Sequence, residues 1–267
     1  MDHDRAPAAP RARLTEPGSP VCTPDWLALR EPADHEARSA VLAGELDAAL
    51  GAGSVVIRDL GCGTGSMGRW LAPRLHRPQR WYVHDRDADL AHHASAALPE
   101  PATPVVGNVT EVDLGGTDVV VCSALLDLLT GAEIERLADA CAAAGAAVLW
   151  TLTVSGRVLL DPADPWDDRV AAAFDAHQRR DALAGPDASD LAVAALEHAG
   201  YAVRREASPW RLAAGESLAE EWVRGWVDAA AVQEPALAAD LDAYLGRRLA
   251  QPFAAEVGHV DLLGLPR

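Results

Sequence analysis

Residues 59–68 read Asp-Leu-Gly-Cys-Gly-Thr-Gly-Ser-Met-Gly, four glycines in ten positions between "SVVI" (54–57) and "RWLAPRL" (69–75). The apolar, β-branched "SVVIRDL" (54–60) predicts a short strand ending in the glycines. "MGRWLAPRL" (67–75) predicts the following helix, kinked by Pro73, which lacks an amide for the ladder. The glycines therefore form a strand-to-helix turn, a place where backbone can approach a ligand closely. Two registers fit. Gly63-x-Gly65-x-x-Gly68, with Asp85 about 20 residues further on, has dinucleotide-loop spacing. Asp59-x-Gly61-x-Gly63-x-Gly65 begins earlier, at a carboxylate.

Outward from the loop, the same alternation continues. "RWYVHD" (80–85), "TPVVGNV" (103–109), "TDVVVCSALL" (117–126) and "GAAVLWTL" (145–152) predict strands two to five. The fourth is an unbroken apolar run, as expected of a strand buried on both faces. Helices are expected at "ADLAHHASAAL" (88–98), at "AEIERLADACAAA" (132–144) behind a Thr130–Glu133 capping box, and at "DASDLAVAALEHAG" (187–200), with Asp187 as N-cap and Gly200 past its end. "YAVRREAS" (201–208) and "AAEVGHVDLLGL" (254–265) complete seven strands. Upstream, residues 31–53 read as one helix, with Leu42, Leu46 and Leu50 on one face and Gly51 as its left-handed end. The pattern predicts an α/β fold, a doubly wound sheet with helices on both faces. Ligands of such sheets sit at the carboxyl ends of the strands, where Asp59, Asp85, Asn108 and Ser123 all fall.

Composition removes several function classes. The chain has 267 residues, 49% hydrophobic and 24% charged, an ordinary globular profile. Its formal net charge of -17 disfavours nucleic acid and anionic membrane as partners. No Lys occurs, which excludes a Walker A loop and Schiff-base chemistry. The four cysteines, Cys22, Cys62, Cys122 and Cys141, lie far apart and read as reduced thiols of a cytoplasmic protein. No run of 18 apolar residues predicts a membrane span, and the start lacks the apolar stretch of a signal peptide. Residues 1–20, rich in Pro, Ala and Arg, read as a mobile tail before a single domain over 21–267.

Charge separates the two registers. A pyrophosphate next to Asp59 would place like charges ~4 Å apart, at a cost of ~4 kcal/mol at an effective dielectric of 20. In the register that begins at Asp59, the ligand must tolerate or prefer a carboxylate. A dinucleotide-dependent oxidoreductase using Gly63, Gly65 and Gly68 is the runner-up.

"VIRDLGCGTGS" resembles the first motif of the class I methyltransferases that use S-adenosylmethionine, a cofactor with an ammonium and a sulfonium but no phosphate. "WYVHDRD", "GNV" and "VVCSALL" resemble that family's later motifs in order, and the likeness covers roughly residues 54–152. It implies a Rossmann-like sheet of seven strands, mostly parallel with one antiparallel strand. It also implies roles. Gly61, Gly63 and Gly65 would admit the methionine part, with Cys62 as a small side chain in that turn. Asp59 would support the loop and the bound ammonium. Asp85 would accept from the ribose diol, and Arg86 would lie beside the adenine. Asn108 and Val109 would hold the adenine edge, although many relatives carry Asp at that position. Ser123 would line the cleft near the methionine. The added segments resemble small-molecule methyltransferases of bacterial specialised metabolism. A fold that binds the cofactor without turnover remains a third reading.

Two segments exceed what such a core needs, 155–186 and 208–253, and both read as helical additions covering the crevice. Candidate bases are Asp127, just after strand four, and His177 in the first addition. His177 follows Phe174 and Val170 on one helical face, so a half-buried structural histidine is the other reading. His177 and Asp181 have metal-ligand spacing without a third ligand, so no metal is expected. Arg179 and Arg180 suit a substrate carboxylate or a solvated helix end. Trp26, Trp166, Trp210, Trp222 and Trp226 lie outside the core strands. Trp222 and Trp226 are i, i+4, which suits either an aromatic wall for a flat or cationic substrate or plain helix packing; Trp26, Trp166 and Trp222 are the substrate candidates.

Overall fold

The computed structural model describes residues 22–98 and 102–267. The tail expected over 1–20 lies outside the described residues. The strands are β1 (Val55–Leu60), β2 (Gln79–Asp85), β3 (Ala102–Val106), β4 (Val119–Ser123), β5 (Ala147–Asp161), β6 (Tyr201–Ala207), β7 (Trp210–Leu212) and β8 (Ala254–Pro266). They form one sheet of order β3-β2-β1-β4-β5-β8-β6, with the short β7 also paired to β8. Neighbours from β3 to β5 are parallel, and β8 runs antiparallel to β5, β6 and β7. The seven expected strands are present and β7 is an eighth.

Register levels the functional ends. Leu60 pairs with His84 on one side and Cys122 on the other, so Asp85 and Ser123 come out at the level of Gly61, two residues above Asp59, beside the reversal of strand order. Val119, Val120 and Val121 are fully buried, which fits the unbroken apolar run of β4.

The helices are α1 (Pro24–Ala37), α2 (Ala40–Ala49), α3 (Ser66–Leu71), α4 (Ala88–Ala97), α5 (Gly131–Ala144), α6 (Asp167–Gln178), α7 (Ala188–His198), α8 (Ser217–Gln233) and α9 (Ala238–Leu249). Residues 31–53 are not one helix. The chain breaks at Arg38 and restarts at Ser39, whose side chain accepts from the Leu42 amide at 3.2 Å. Gly51 does not supply a left-handed turn; the chain leaves α2 through an extended Leu50. Leu42 and Leu46 are fully buried, each worth ~1.5–3 kcal/mol, and they dock α2 on the sheet. The helix expected to run kinked over 67–75 stops instead at Leu71, and the chain tightens into a 3₁₀ turn over Ala72–Arg74 around Pro73. The Thr130–Glu133 capping box forms with both of its bonds. Asp187 precedes α7 without capping it, because its carboxylate takes Arg179 at 2.7 and 2.9 Å.

Apolar residues gather in three cores. One lies under α2, α3 and α4, one under α5 and α7, and a third joins α6, α8 and α9 to β7 and the outer parts of β5 and β8. The third core explains the two additions. The segment 155–186 is not helical throughout; it begins as a continuation of β5 to Asp161 paired with β8, and only then enters α6. The segment 208–253 supplies β7 before α8 and α9. Trp226 and Tyr244 bury completely between them, ring centroids 6.4 Å apart. No helix among the described residues is long and apolar enough to cross a membrane.

Candidate cofactor and acceptor site

A cavity of about 600 Å³ opens at the carboxyl ends of β1, β2, β3 and β4 and continues between α1, α6 and α8. The volume is ordinary for a cofactor or small-molecule site. Its floor is the glycine loop. Gly61, Gly63 and Gly65 have φ of +69°, +52° and +89°, values that side chains rarely tolerate. Gly65 also heads α3 and sits so close to α4 that an added Cβ would come 3.1 Å from the Ala94 Cα. Gly61 directly follows the last residue of β1, which is the register that begins at Asp59.

Asp59 is 1% exposed and lines the cavity, yet neither carboxylate oxygen has a hydrogen-bond partner among the described residues. Burial pushes its pKa up to about 7; Asp85 adds to the rise and Arg38 opposes it. A buried carboxylate without donors is costly, and an ammonium would supply them. Asp85 accepts from the Gly63 amide and from the Asp87 amide, both at 3.0 Å, so it ties strand two to the glycine loop. Burial raises its pKa too. The cap of α4 is Asp87, whose side chain accepts from Asp89 and Leu90. Cys62 is buried, burial drives its thiol pKa upward, and its sulfur lies 3.7 Å from the Gly63 carbonyl. That is a packed thiol and no nucleophile.

Arg86, Val109, Ser123 and Asp127 line the same cavity. Asn108 does not. Its Oδ1 accepts from the Thr110 amide at 3.0 Å and hydroxyl at 2.9 Å, and its Nδ2 donates to Glu111 at 3.2 Å. The side chain closes its own turn, which the Asn-Val-Thr sequence favours.

On the other side, His177, 6% exposed, and Asp127, 7% exposed, both face this cavity, as do Trp26, Trp210, Trp222 and Trp226. Trp222 stacks on Trp226 with centroids 5.2 Å apart and planes at 19°. Trp166 is not in the wall. It sits ahead of α6 with its ring against the third core and the Arg169 guanidinium 5.7 Å over it. Arg179 is held by Asp187, whereas Arg180 lines the cavity and donates to the His177 carbonyl at 3.0 Å.

The site also holds residues that motif reading passed over. Helix α1 lies across the glycine loop. Arg69 of α3 pairs with Glu31 at 2.8 and 2.5 Å, the His35 ring meets the Ser66 carbonyl at 3.1 Å, and the Trp70 indole donates to the His35 carbonyl at 3.1 Å. The Glu31 carboxyl is held below its usual range chiefly by the hydrogen bond from Arg69. At the end of α1, Arg38 is buried against the loop. On β8, His259 lines the cavity with its ring 5.1 Å from Trp210, and burial lowers its pKa to about 3, so it is neutral. The one cue for the α1 break was Ser39 ahead of an apolar run.

S-adenosylmethionine fits this site: backbone room at three left-handed glycines, an unmet buried carboxylate for its ammonium, and Asp85 at the ribose position of the family. No cluster of three metal-ligating side chains occurs among the described residues.

Residues 57–145 match a family model described as a methyltransferase domain. No curated protein matches the sequence. Among solved structures, the cyclopropane synthase MmaA2 from Mycobacterium tuberculosis is similar at 12% identity and TM-score 0.50, over 91% of this chain and 94% of that one. A methyltransferase from Thiobacillus denitrificans, in complex with S-adenosylhomocysteine, aligns at 17% identity and TM-score 0.47, over 92% and 99%. Magnesium protoporphyrin IX methyltransferase from Synechocystis aligns at 16% identity and TM-score 0.48, over 72% and 83%. The family match thus assigns a methyltransferase domain to residues 57–145, and the sheet around it has the Rossmann-like α/β fold of S-adenosylmethionine-dependent methyltransferases.

Proposed function

We propose that the enzyme methylates a small, flat organic acceptor of the kind found in bacterial specialised metabolism. The observation that carries this reading is the continuity of one cavity, from the glycine loop to a wall of Trp26, Trp210, Trp222 and Trp226. Aromatic faces favour a planar acceptor by stacking. A cation is less well matched, because Arg30 already lies 4.8 Å over the Trp210 ring and Arg157 and Arg180 share the lining. The net charge of -17 argues against nucleic acid.

S-adenosylmethionine supplies an electrophilic methyl on its sulfonium. The chain's part is to hold and orient. In this reading Asp59 receives the ammonium, Asp85 the ribose diol, and Arg86 and Val109 flank the adenine. Helices α1, α6 and α8 exclude water and align the acceptor. Asp127 and His177 line the same cavity, and in this reading either serves as base for an acceptor hydroxyl.

The test is turnover with a panel of phenols, heteroaromatic acids and aliphatic amines, read by mass spectrometry as gain of one methyl. Methylation confined to aliphatic amines would reject the flat-acceptor reading. Retention on heparin at physiological salt would count against a small-molecule substrate.

A further inference from the structure

Helices α6 and α8 pack on each other at the acceptor end. Arg169, near the start of α6, pairs with Glu234, just past the end of α8, at 3.7 Å. Gln178, at the end of α6, lines the cavity with Trp222, Gly225 and Trp226 from the middle of α8. The two helices therefore run antiparallel. Equal rise per residue brings Gln178 level with Gly225 and Trp226. A Cβ on Gly225 would meet nothing within 4 Å, so the wall is open at this height. Two buried polar groups stand beside the opening. Trp226 is 2% exposed and Gln178 7%. The Trp226 Nε1 and the Gln178 Oε1 have no hydrogen-bond partner among the described residues, so they do not bond each other either. Buried polar groups are ordinarily paired, and two orphans in the lining of one cavity call for a ligand. The Trp226 ring is held by its stack on Trp222 and by the edge of Tyr244. Tyr244 is held in turn, its hydroxyl donating to Asp167 at 2.7 Å and accepting from Arg248 at 3.1 Å.

We infer that these two groups read a neutral donor–acceptor edge on the methyl acceptor, of the kind a lactam presents. A ring carbonyl takes the Trp226 N–H, and the adjacent ring N–H gives to Gln178. An indole nitrogen can only donate, so the carbonyl is the fixed half of the match. Neither orphan is charged, and an ionised group buried against them would gain no counter-charge from either. The ring plane lies on the Trp222 and Trp226 faces. This deepens the flat-acceptor reading and rests on it. It makes Trp226 and Gln178 specificity residues, since a site that offers hydrogen bonds rejects analogues unable to meet them.

The test uses the full chain with S-adenosylhomocysteine present and calorimetry with three bicyclic probes that share a ring hydroxyl. These are 4-hydroxyquinolin-2-one, its N-methyl derivative, and 1-naphthol, which lacks the edge. Wild type should bind the lactam at least about tenfold more tightly than 1-naphthol, with the N-methyl derivative between them. Trp226→Phe keeps a ring in the stack and should bring the lactam down to the naphthol level while leaving naphthol nearly unchanged. Gln178→Met should erase the preference for N–H over N-methyl. It should also leave the melting temperature of the ligand-free chain at or above that of wild type, because it removes an unpaired polar group. This variant provides the measurement if Trp226→Phe fails to fold. A lactam that binds no better than 1-naphthol overturns the proposal. So does a Gln178→Met chain that melts several degrees lower, since Oε1 would then have a structural bond. Exclusion of all three rings with binding of aliphatic amines would instead reject the flat-acceptor reading itself.

Discussion

The two ends of the cavity are built differently. The cofactor end is made of backbone: three left-handed glycines and short strand-end turns, with Asp59 and Asp85 placed by register. The acceptor end is made of side chains from distant segments, Trp26 on α1, His177 on α6, Trp222 on α8 and His259 on β8. Backbone geometry demands particular residues in a particular order. A wall of large side chains can be assembled from many sequences, provided the volume is filled. The first end should therefore fail through affinity and folding when altered, and the second through turnover.

The largest effect is expected at Asp85. It accepts two backbone amides and, in the proposed reading, would accept the ribose diol of the cofactor as well. Charge-assisted hydrogen bonds are worth roughly 1.5–3 kcal/mol each. Asp85→Ala should lower S-adenosylhomocysteine affinity by more than about a hundredfold and reduce unfolding free energy by about 2 kcal/mol or more. Calorimetry and urea titration measure the two losses. An affinity unchanged within about threefold would show that Asp85 only shapes the loop.

Asp59 sharpens the contrast through pH. Its folded pKa, raised to about 7 by burial, lies above that of an ordinary carboxylate. Without cofactor, the folded chain keeps a proton that the unfolded chain has released. Stability from this group is thus full in acid and declines as pH rises towards about 7. The cofactor ammonium prefers the ionised form. Affinity should therefore rise as pH climbs through this window, with proton release visible in buffers of different ionisation heat. Asp59→Asn should flatten the profile and cost about tenfold or more at pH 8. A wild-type profile flat between pH 5.5 and 8 would refute the contact.

This division also explains what was legible. The glycine loop, Asp85 and the capping box could be read because each satisfies a local backbone requirement over a few residues. The break at Arg38 was hidden because Ala, Glu and Leu on either side are all good helix formers, and only tertiary bonds to Ser66 and Ser123 carry Arg38 to the loop. The extension of β5 was hidden because "SGRVLLD" has a Gly and an Arg in it; pairing with β8 overrides that composition. Trp166 and Trp222 look alike in sequence. Only the packing of α6 on α8 decides that one faces the third core and the other the cavity.

At the acceptor end, Trp222→Ala should leave S-adenosylhomocysteine affinity within about twofold and lower kcat/KM for the acceptor by roughly ten- to a hundredfold, with Trp222→Phe recovering much of it. Cofactor affinity falling in parallel would erase the distinction between the two ends.

The smallest effect is expected at Asn108, where motif and geometry part. The family motif puts this position at the adenine edge, whereas here the side chain bonds within its own turn, to Thr110 and Glu111. If the structure is the better guide, Asn108→Ala removes only a capping acceptor, costing about 1 kcal/mol of stability. Cofactor affinity should then move by less than about threefold, carried by Val109, which remains in the wall. Asn108→Asp keeps the acceptor for the Thr110 amide and should restore stability. It should not improve affinity, because a carboxylate turned into its own loop is no closer to adenine than the amide was. A tenfold loss with Ala that Asp reverses would mean the side chain swings out to meet the ligand, and the cofactor end would then be less fixed by its backbone than its glycines suggest.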